Sequence, residues 1–396
     1  VLELASVLAG PSVGQFLGEL GADVIKVENL KTRGDVTRGW RLPSEPREGP
    51  SAYFKCCNLG KRSVSLDAST ADGRDLCRRL ALASDVVLAS YKPGDAEKLG
   101  LDAGSLLAQR PRLVYAQITG YGIDDPRVGY DALIQAEAGF TFMNGEPGAA
   151  GRPTKMPVAL VDLLAAHQLK ESILLALWQR DRTGEGSHVH VSLMASAVAS
   201  LANQASGYLC AGVVPQRMGS EHPSICPYGT AFDDREGQPL ILAVGADSQF
   251  RTLCEVLGCA GLADDERFAT NVARVAHRAE LTALLAERIG ARRRPELLEE
   301  LRRRKVPAGA VADMATVFES PQAEALVLRG EGGEAMGLRQ VAWRVGAEGA
   351  AVGSAPRRPP DYAEHTAEVL GEVLGLSGGE LRSLADAGVV HIPGQS

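Results

Sequence analysis

The stretch VLELASVLAGPSVGQFLGELGADVIKVE, residues 1–28, contains a complete β-α-β pattern. VLEL and DVIKVE predict two buried strands, and VGQFLGELGA between them predicts a helix. Pro11 suits the first turn of that helix, where a missing N–H costs nothing, and Gly21 suits its C-terminal end. Because a β-α-β unit joins parallel strands by a right-handed crossover, the stretch predicts a parallel sheet.

Strands and helices continue to alternate as far as residue 125. SVSLD (63–67), DVVLASY (85–91) and LVYAQITGYG (113–122) predict strands, and GRDLCRRLALA (73–83) predicts a helix. A long helix is expected over residues 159–180, followed by a strand at SHVHVSL (187–193). The fold class predicted is α/β, with a Rossmann-like, doubly wound parallel sheet that binds ligands at the carboxyl ends of its strands.

The Gly/Pro/Cys-rich passage MGSEHPSICPYG (218–229) marks a change of organisation. Beyond it, the strand QPLILAVG (238–245) and amphipathic helices up to about residue 305 predict a second, smaller α+β domain. We therefore predict a large domain formed by residues 1–200 and 325–396, a small domain at 215–320, and linkers at 200–215 and 320–330.

Composition and charge argue against several classes of partner. The 396 residues carry a formal net charge of −7, and the densest basic runs, ARRRP (291–295) and LRRRK (301–305), lie among Glu and Leu as on a solvated helix face. We expect no nucleic-acid partner. No run of about 18 apolar residues predicts a membrane helix. The seven cysteines are odd in number and lack CxxC spacing, which favours a reducing cytoplasm over disulfides or zinc.

Two cofactor sites are disfavoured. The dinucleotide fingerprint G-x-G-x-x-G is absent from the first loop, although Glu28 ends the second strand, where a ribose-binding acid would stand. His188 and His190 alternate on one face of a strand, but no third metal ligand lies near them in the sequence. We therefore expect no metal and no tightly bound cofactor.

Asp162 is the one acid in the apolar stretch MPVALVDLLAAH (156–167). An unpaired carboxylate among apolar groups is costly, so its presence requires an explanation. A structural explanation is an N-cap at the start of a helix. A chemical explanation is a nucleophilic carboxylate that forms a covalent acyl intermediate. Ala165 and Ala166, one turn further on, leave room for a ligand, and they are equally ordinary helix formers.

Several stretches together carry a family resemblance. They are VLELASVLAGPSVGQFLGELGADVIKVENLKTRGDVTR (1–38), NLGKRSVSLD (58–67), SYKPGDAEKLGLD (90–102), PRLVYAQITGYG (111–122), YDALIQAEAG (130–139), VDLLAAHQLKESILLALWQRDRTGEGSHVHVSL (161–193) and the passage Pro227–Gly229. In this order the chain resembles the class III CoA-transferase family. That family includes formyl-CoA, carnitine and succinyl-CoA:carboxylate transferases and the α-methylacyl-CoA racemases.

The resemblance implies an enzyme that moves CoA from an acyl-CoA thioester to a carboxylic acid, with CoA as a substrate. It implies that Asp162 attacks the thioester, giving an aspartyl–acyl anhydride and then an aspartyl-CoA thioester. It also implies an interlocked homodimer. The CoA contacts that it implies are Val7, Leu8, Ala9, Arg38, Leu66, Ser90, Tyr91 and Lys98.

The dipeptide Tyr130–Asp131 separates two chemistries. The family's racemases carry His-Asp at this place, and the His works with the later Asp as an acid/base pair across the α-carbon. Tyr, with a pKa of about 10, is a poor base at neutral pH, so the transferase is favoured. Asp131 is either a second acid near the site or a capping residue. A racemase and an inactive CoA-binding regulator stay as alternatives, and Ala165-Ala166 replaces the Thr-Gly usual in the family.

Overall fold

The structure is a computed structural model that describes residues 1–345, 350–351 and 357–394. These residues group into two compact units. The first unit consists of Val1–Gly139, Met156–Gly212 and the described residues of Ala325–Ser396. The second unit consists of Phe140–Lys155 and Val213–Glu324.

The strands and helices follow one another along both units. The strands of the described residues are β1 (Leu2–Leu4), β2 (Ile25–Asn29), β3 (Arg62–Leu66), β4 (Val86–Ala89), β5 (Val114–Thr119), β6 (Ser187–Ser192), β7 (Tyr228–Asp233), β8 (Pro239–Ala243), β9 (Ala308–Ala310), β10 (Val327–Arg329), β11 (Ala335–Leu338), β12 (Arg344–Val345), β13 (Ala350–Ala351) and β14 (Val390–His391). The helices are α1 (Ala9–Glu19), α2 (Ala52–Lys55), α3 (Ala71–Ala83), α4 (Asp95–Leu99), α5 (Ala103–Gln109), α6 (Asp131–Glu137), α7 (Phe140–Met143), α8 (Leu160–Thr183), α9 (Leu193–Ala199), α10 (Ala202–Ala211), α11 (Asp247–Val256), α12 (Asn271–Ala276), α13 (Arg278–Gly290), α14 (Arg294–Arg303), α15 (Met314–Phe318), α16 (Pro321–Glu324), α17 (Thr366–Leu374) and α18 (Gly378–Asp386). Short 3₁₀ turns occupy Val36–Gly39 and Ala260–Ala263.

A seven-stranded sheet with the order β14-β3-β2-β1-β4-β5-β6 forms the centre of the first unit. All neighbouring strands in it are parallel except β14, which pairs antiparallel with β3. The predicted parallel sheet is therefore confirmed. The chain builds outward from β1 first on one side and then on the other, so the order reverses between β1 and β4. Such a reversal opens a crevice at the carboxyl ends of the strands.

The central strands are buried, as parallel strands covered on both faces are. They nevertheless contain a charged residue, Glu3 of β1, which has no exposed surface. Its carboxylate lies 3.0 Å from the Lys26 ammonium and 2.7 Å from the Lys61 ammonium. Lys26 also pairs with Asp35 at 3.0 Å. Burial alone would lower the pKa of Lys26, but the carboxylates of Glu3 and Asp35 outweigh it and raise that pKa.

Helix α8 packs against α1 and against the edge formed by β5 and β6. Ala165 and Ala166 have no exposed surface in this packing. The hypothesis that they leave room for a ligand is therefore wrong. Both alanines belong instead to the packed interior around α8.

The second unit contains the antiparallel sheet β7-β8-β9. Its core includes Phe250, Leu285 and Leu297 from helices α11, α13 and α14. The fully buried Arg274 donates hydrogen bonds to the carbonyls of Cys226 and Phe268 and pairs with Asp247. A buried guanidinium whose donors are satisfied in this way stabilises a particular arrangement of loops.

None of the helices in the described ranges has the length and apolar character needed to cross a lipid bilayer.

Candidate active site

A cavity of about 380 Å³ opens at the carboxyl ends of β1, β4 and β5 in the first unit. Of the residues predicted for the site, it is lined by Val7, Leu8, Ala9, Ser90, Tyr91, Asp131 and Asp162. A neighbouring cavity of about 420 Å³ shares four wall residues with it, which are Ser6, Val36, Ser90 and Tyr91. This is the position at which a doubly wound sheet binds ligands.

Asp162 is the third residue of α8, and the N-cap of that helix is Ala159. The N-cap explanation of Asp162 is therefore wrong, since the helix begins two residues before it. The Asp162 carboxylate forms no hydrogen bond or ion pair with any residue that the structure describes. Burial, and to a smaller extent the nearby charge of Asp131, together raise the pKa of this carboxyl to about 7.

Asp131 is the first residue of α6, and its carboxylate accepts a hydrogen bond from the first turn of α8. Its Oδ1 accepts a hydrogen bond of 2.9 Å from the backbone N–H of Val161, and its Oδ2 accepts one of 2.8 Å from Gln135. The first N–H groups of a helix have no partner within the helix, so Asp131 supplies one from another element. Asp131 is therefore a capping residue and also a second acid in the wall of the cavity.

Val7, in the loop after β1, has a φ of 72°. A β-branched residue in this left-handed region is strained, and such strain is often found at functional sites. The N–H of Val7 donates to Asp35 Oδ2 at 3.2 Å, and its carbonyl accepts from the Cys57 thiol at 3.4 Å. Hydrogen bonds at both the N–H and the carbonyl of Val7 thus hold the strained turn in place.

Arg38 is tied to Glu28 by two hydrogen bonds of 2.7 and 2.6 Å, and its guanidinium lies 3.8 Å above the ring of Phe54. Burial alone would raise the pKa of Glu28, but the contact with Arg38 holds that pKa below its ordinary value. Ser63 also donates to Glu28 at 2.6 Å. Glu28 is therefore occupied, which disfavours a ribose-binding role. Glu28 already compensates the charge of Arg38 before any ligand binds.

Three of the predicted CoA contacts, Arg38, Leu66 and Lys98, lie apart from the lining of both cavities. Leu66 ends β3 in the core and is 1% exposed. Lys98 lies on α4, with its ammonium 2.8 Å from Asp95 and its side chain 75% exposed. In contrast, Lys92 lines the cavity and forms no ion pair with another described residue. Lys92 was not predicted from the sequence, although its place directly after Ser90 and Tyr91 at a strand end was the available signal.

The histidines do not supply a base to the cavity. His188 bonds Gln117 at 3.0 Å, and His190 bonds Thr119 at 3.0 Å. Tyr130, where the family's racemases carry His, lines the cavity, and no histidine is among the described residues that line it. The described part of the chain also holds no cluster of side chains suited to a metal ion. His188 and His190 therefore satisfy neighbouring side chains of β5.

Arg127, also missed from the sequence, lines the cavity from the loop after β5. Its guanidinium donates hydrogen bonds to both oxygens of Asp125 and stacks 3.7 Å from the ring of Tyr121. Nearby, a Cβ on Gly129 would lie 2.2 Å from the Cα of Gly120. This close approach of two backbones fixes the loop that leads to Asp131.

Comparison with known proteins identifies the family of this chain. The family model of CoA-transferase family III matches residues 1–366. A succinate–glutarate CoA-transferase of Agrobacterium fabrum is 42% identical over 336 residues, covering 83% of this chain and 83% of the relative. The human succinyl-CoA:glutarate CoA-transferase is 33% identical, covering 98% of this chain and 88% of its own. A crystal structure of a CAIB/BAIF family protein from Brucella suis has a TM-score of 0.82 and 43% identity, covering 94% and 97% of the two chains.

The parallel-sheet fold and these relatives define an enzyme that uses CoA thioesters and carboxylic acids as substrates. The chain belongs to CoA-transferase family III. The family and the enzyme class predicted from the sequence are confirmed.

Proposed function

We propose that this enzyme transfers CoA between dicarboxylic acids through a covalent intermediate on Asp162. The observation that carries the proposal is the Asp162 carboxylate, which faces the cavity without a hydrogen-bonding partner among the described residues. A carboxylate left unpaired in a partly buried position has a cost in stability, and catalysis is a reason for it to be retained.

The proposed reaction has four displacements. The Asp162 carboxylate attacks the thioester carbonyl, a mixed anhydride forms, and CoA leaves as its thiolate. The thiolate attacks the Asp162 carbonyl, which gives an aspartyl-CoA thioester and releases the first acid. The acceptor carboxylate then attacks this thioester, and a second anhydride and CoA thiolate form. The thiolate finally attacks the acceptor acyl group, which gives the new acyl-CoA and restores Asp162.

Relatives support dicarboxylic acids as the substrate class. Besides the two glutarate enzymes, a succinyl-CoA:mesaconate CoA-transferase of Haloarcula hispanica is 34% identical, covering 81% of this chain and 81% of its own. The racemase is not proposed, since the cavity has Tyr130 rather than a histidine beside Asp131. We test the substrate class by offering succinyl-CoA with glutarate, mesaconate, acetate or formate and measuring each new thioester. Dicarboxylates should react best.

Chemical trapping tests the covalent step. During turnover, hydroxylamine attacks the activated Asp162 carbonyl and leaves a hydroxamate at that residue, while the acid or the CoA thiol departs. Peptide mass spectrometry should then locate the modification at Asp162 only when acyl-CoA is present. Continued turnover with an unmodified Asp162 would contradict the proposal.

The pH dependence follows from the environment of Asp162. Only the ionised carboxylate is nucleophilic, and its pKa is raised to about 7. We expect kcat/KM to rise with pH and to level off above about pH 8, and at pH 6 it should be about one tenth of the plateau. Steady-state rates at low acyl-CoA concentration measure this profile, because kcat/KM reports the free enzyme. A flat profile between about pH 6 and pH 8, the range of about one unit either side of this pKa, would contradict the assignment.

For CoA, we propose that the ligand extends across both cavities along their shared wall, which includes Ser90 and Tyr91. Val7, Leu8 and Ala9 border the reactive end near Asp162. We propose that Lys92, rather than Lys98, offers its charge to a phosphate. Lys98 is already neutralised by Asp95.

Lys92→Ala should raise the KM for acyl-CoA about tenfold, because it removes one charge-assisted hydrogen bond. Lys98→Ala is the matched control, since it removes a lysine six positions further along the same segment, on α4. Its KM should change by less than about twofold, as expected for an exposed ion pair. Equal effects of the two substitutions on KM, measured by initial rates at 0.1 M salt, would rule out the role given to Lys92.

We also propose that the enzyme is a homodimer, interlocked as in its family. The single chain exposes large apolar side chains on two helices of the first unit. Leu174, Leu175 and Trp178 on α8 are 43%, 54% and 56% exposed, and Leu209 on α10 is 78% exposed. Apolar surface of this extent is typical of a protein interface. The mass in solution, measured by light scattering, tests the dimer.

A further inference from the structure

Gln135 is a buried amide that connects α6 to the segment preceding Asp162. It lies one turn after Asp131 and has no exposed surface. Its Oε1 accepts a hydrogen bond of 2.9 Å from the N–H of Met156. Its Nε2 donates to Asp131 Oδ2 at 2.8 Å and to the carbonyl of Val158 at 3.3 Å. One side chain therefore holds two points of the approaching backbone and one carboxylate.

Asp131 extends this hydrogen-bond network from Gln135 to the first turn of α8. The oxygen that Gln135 does not use, Oδ1, accepts from the N–H of Val161, the residue directly before Asp162. Gln135 and Asp131 together hold the backbone at residues 156, 158 and 161. These three points cover the whole connection from an extended segment into the first turn of α8. We call these two residues and their contacts the amide clamp.

The Asp162 side chain itself is not held by any described residue. Its carboxylate is therefore positioned through its own backbone, and the clamp is what fixes that backbone. A nucleophile must meet the reacting carbon within a narrow range of distance and angle, and a displacement of about 1 Å can lower the rate about 100-fold.

We propose that Gln135 is a positioning residue of the CoA-transfer reaction, acting through Met156, Val158 and Asp131 to aim the Asp162 carboxylate at the thioester carbonyl. This inference rests on the proposed function, since it assumes that Asp162 is the nucleophile. It predicts that loss of the clamp slows the formation of the covalent intermediate while acyl-CoA binding stays nearly unchanged.

Gln15 provides a matched control for an ordinary buried glutamine. It is also fully buried, on α1, and its Nε2 donates to an acid one turn further on, Glu19, at 3.1 Å. It also bonds the backbone twice, at the carbonyl of Leu338 and the N–H of Leu59, both at 3.1 Å. Met fills a similar volume without polar atoms, so Gln15→Met and Gln135→Met remove equivalent contacts at different places.

The experiment compares wild type, Gln135→Met and Gln15→Met in the full chain. For Gln135→Met we expect kcat to fall about 10- to 100-fold and the KM for succinyl-CoA to change less than about threefold. For Gln15→Met we expect kcat within about twofold of wild type, with a similar loss of thermal stability in both variants. Single-turnover mixing with succinyl-CoA and hydroxylamine then gives the rate at which Asp162 is modified, per folded molecule. This rate should fall with kcat in Gln135→Met only.

Two results overturn the inference and leave the proposed function intact. One is modification of Asp162 at the wild-type rate in Gln135→Met. The other is a loss that lies wholly in KM or appears equally in Gln15→Met. If wild type turns over with Asp162 unmodified, the proposed function is wrong and the inference falls with it. Should Gln135→Met not fold, Gln135→Glu keeps the acceptor for Met156 but opposes Asp131, and it must show the same fall in kcat.

Discussion

Replacing Asp162 by Ala or Asn is expected to lower kcat by about 10,000-fold or more, the order seen when a covalent nucleophile is removed. Neither side chain can form the anhydride, because neither carries an ionised oxygen that can attack the thioester. Steady-state transfer from succinyl-CoA measures the loss, and hydroxylamine should no longer modify position 162. The matched control is Asp181→Asn, an exposed acid near the other end of the same helix, which should retain wild-type activity.

Asp162→Asn should be at least as stable as wild type, so that its loss of activity reports lost chemistry and not lost folding. The pKa of Asp162 is raised in the folded state, to about 7 from 3.8. Between these values the folded chain binds more protons than the unfolded chain, so this group lowers stability as pH rises and its full cost is present above about pH 7. Asp162→Asn should therefore raise the melting temperature at pH 8 and change it little at pH 4. A variant that keeps more than about 1% of kcat would refute the nucleophilic role.

Replacing Glu3 by Gln is expected to lower the free energy of unfolding of the first unit by about 3–5 kcal/mol. The substitution preserves shape but leaves the ammonium groups of Lys26 and Lys61 buried without their shared carboxylate. The three tryptophans, Trp40, Trp178 and Trp343, all belong to the first unit, so their fluorescence during guanidinium titration reports its unfolding.

Asp95→Asn is the control for charge removal at the surface. It breaks the exposed pair with Lys98 and should cost less than about 1 kcal/mol. A loss of that size for Glu3→Gln as well would show that water reaches the cluster formed by Glu3, Lys26 and Lys61. Gly14 provides a second test of the same cluster, since a Cβ there would lie 1.9 Å from Glu3 Oε2. Gly14→Ala should therefore also destabilise the first unit.

The candidate site was only partly predictable from sequence. Asp162 was recognisable because one acid interrupts an apolar run, and the family resemblance gave it a role. Lys92 was passed over in favour of Lys98, although the two lie in one segment. Which of these two lysines reaches the cavity depends on the path of the chain after β4. Lys98 is already paired with Asp95.

The start of α8 shows why the two sources of information differ. The sequence offered an N-cap Asp at position 162, because a short polar residue stands where an extended run becomes helical. The structure supplies the cap from Asp131, which is 30 residues away, to the N–H of Val161. A capping residue next to the helix start can be recognised in the local sequence. A capping residue on a neighbouring helix cannot.

By itself, the sequence determined the β-α-β beginning, the parallel sheet and the family, because apolar periodicity and ordered motifs are properties of neighbouring residues. Only the tertiary structure decided which polar groups meet. It placed Glu3 against Lys61, 58 residues away, Gln135 against Met156, and Asp131 against Val161. These contacts join groups far apart in the chain, and burial makes each group require a partner that no local pattern can name.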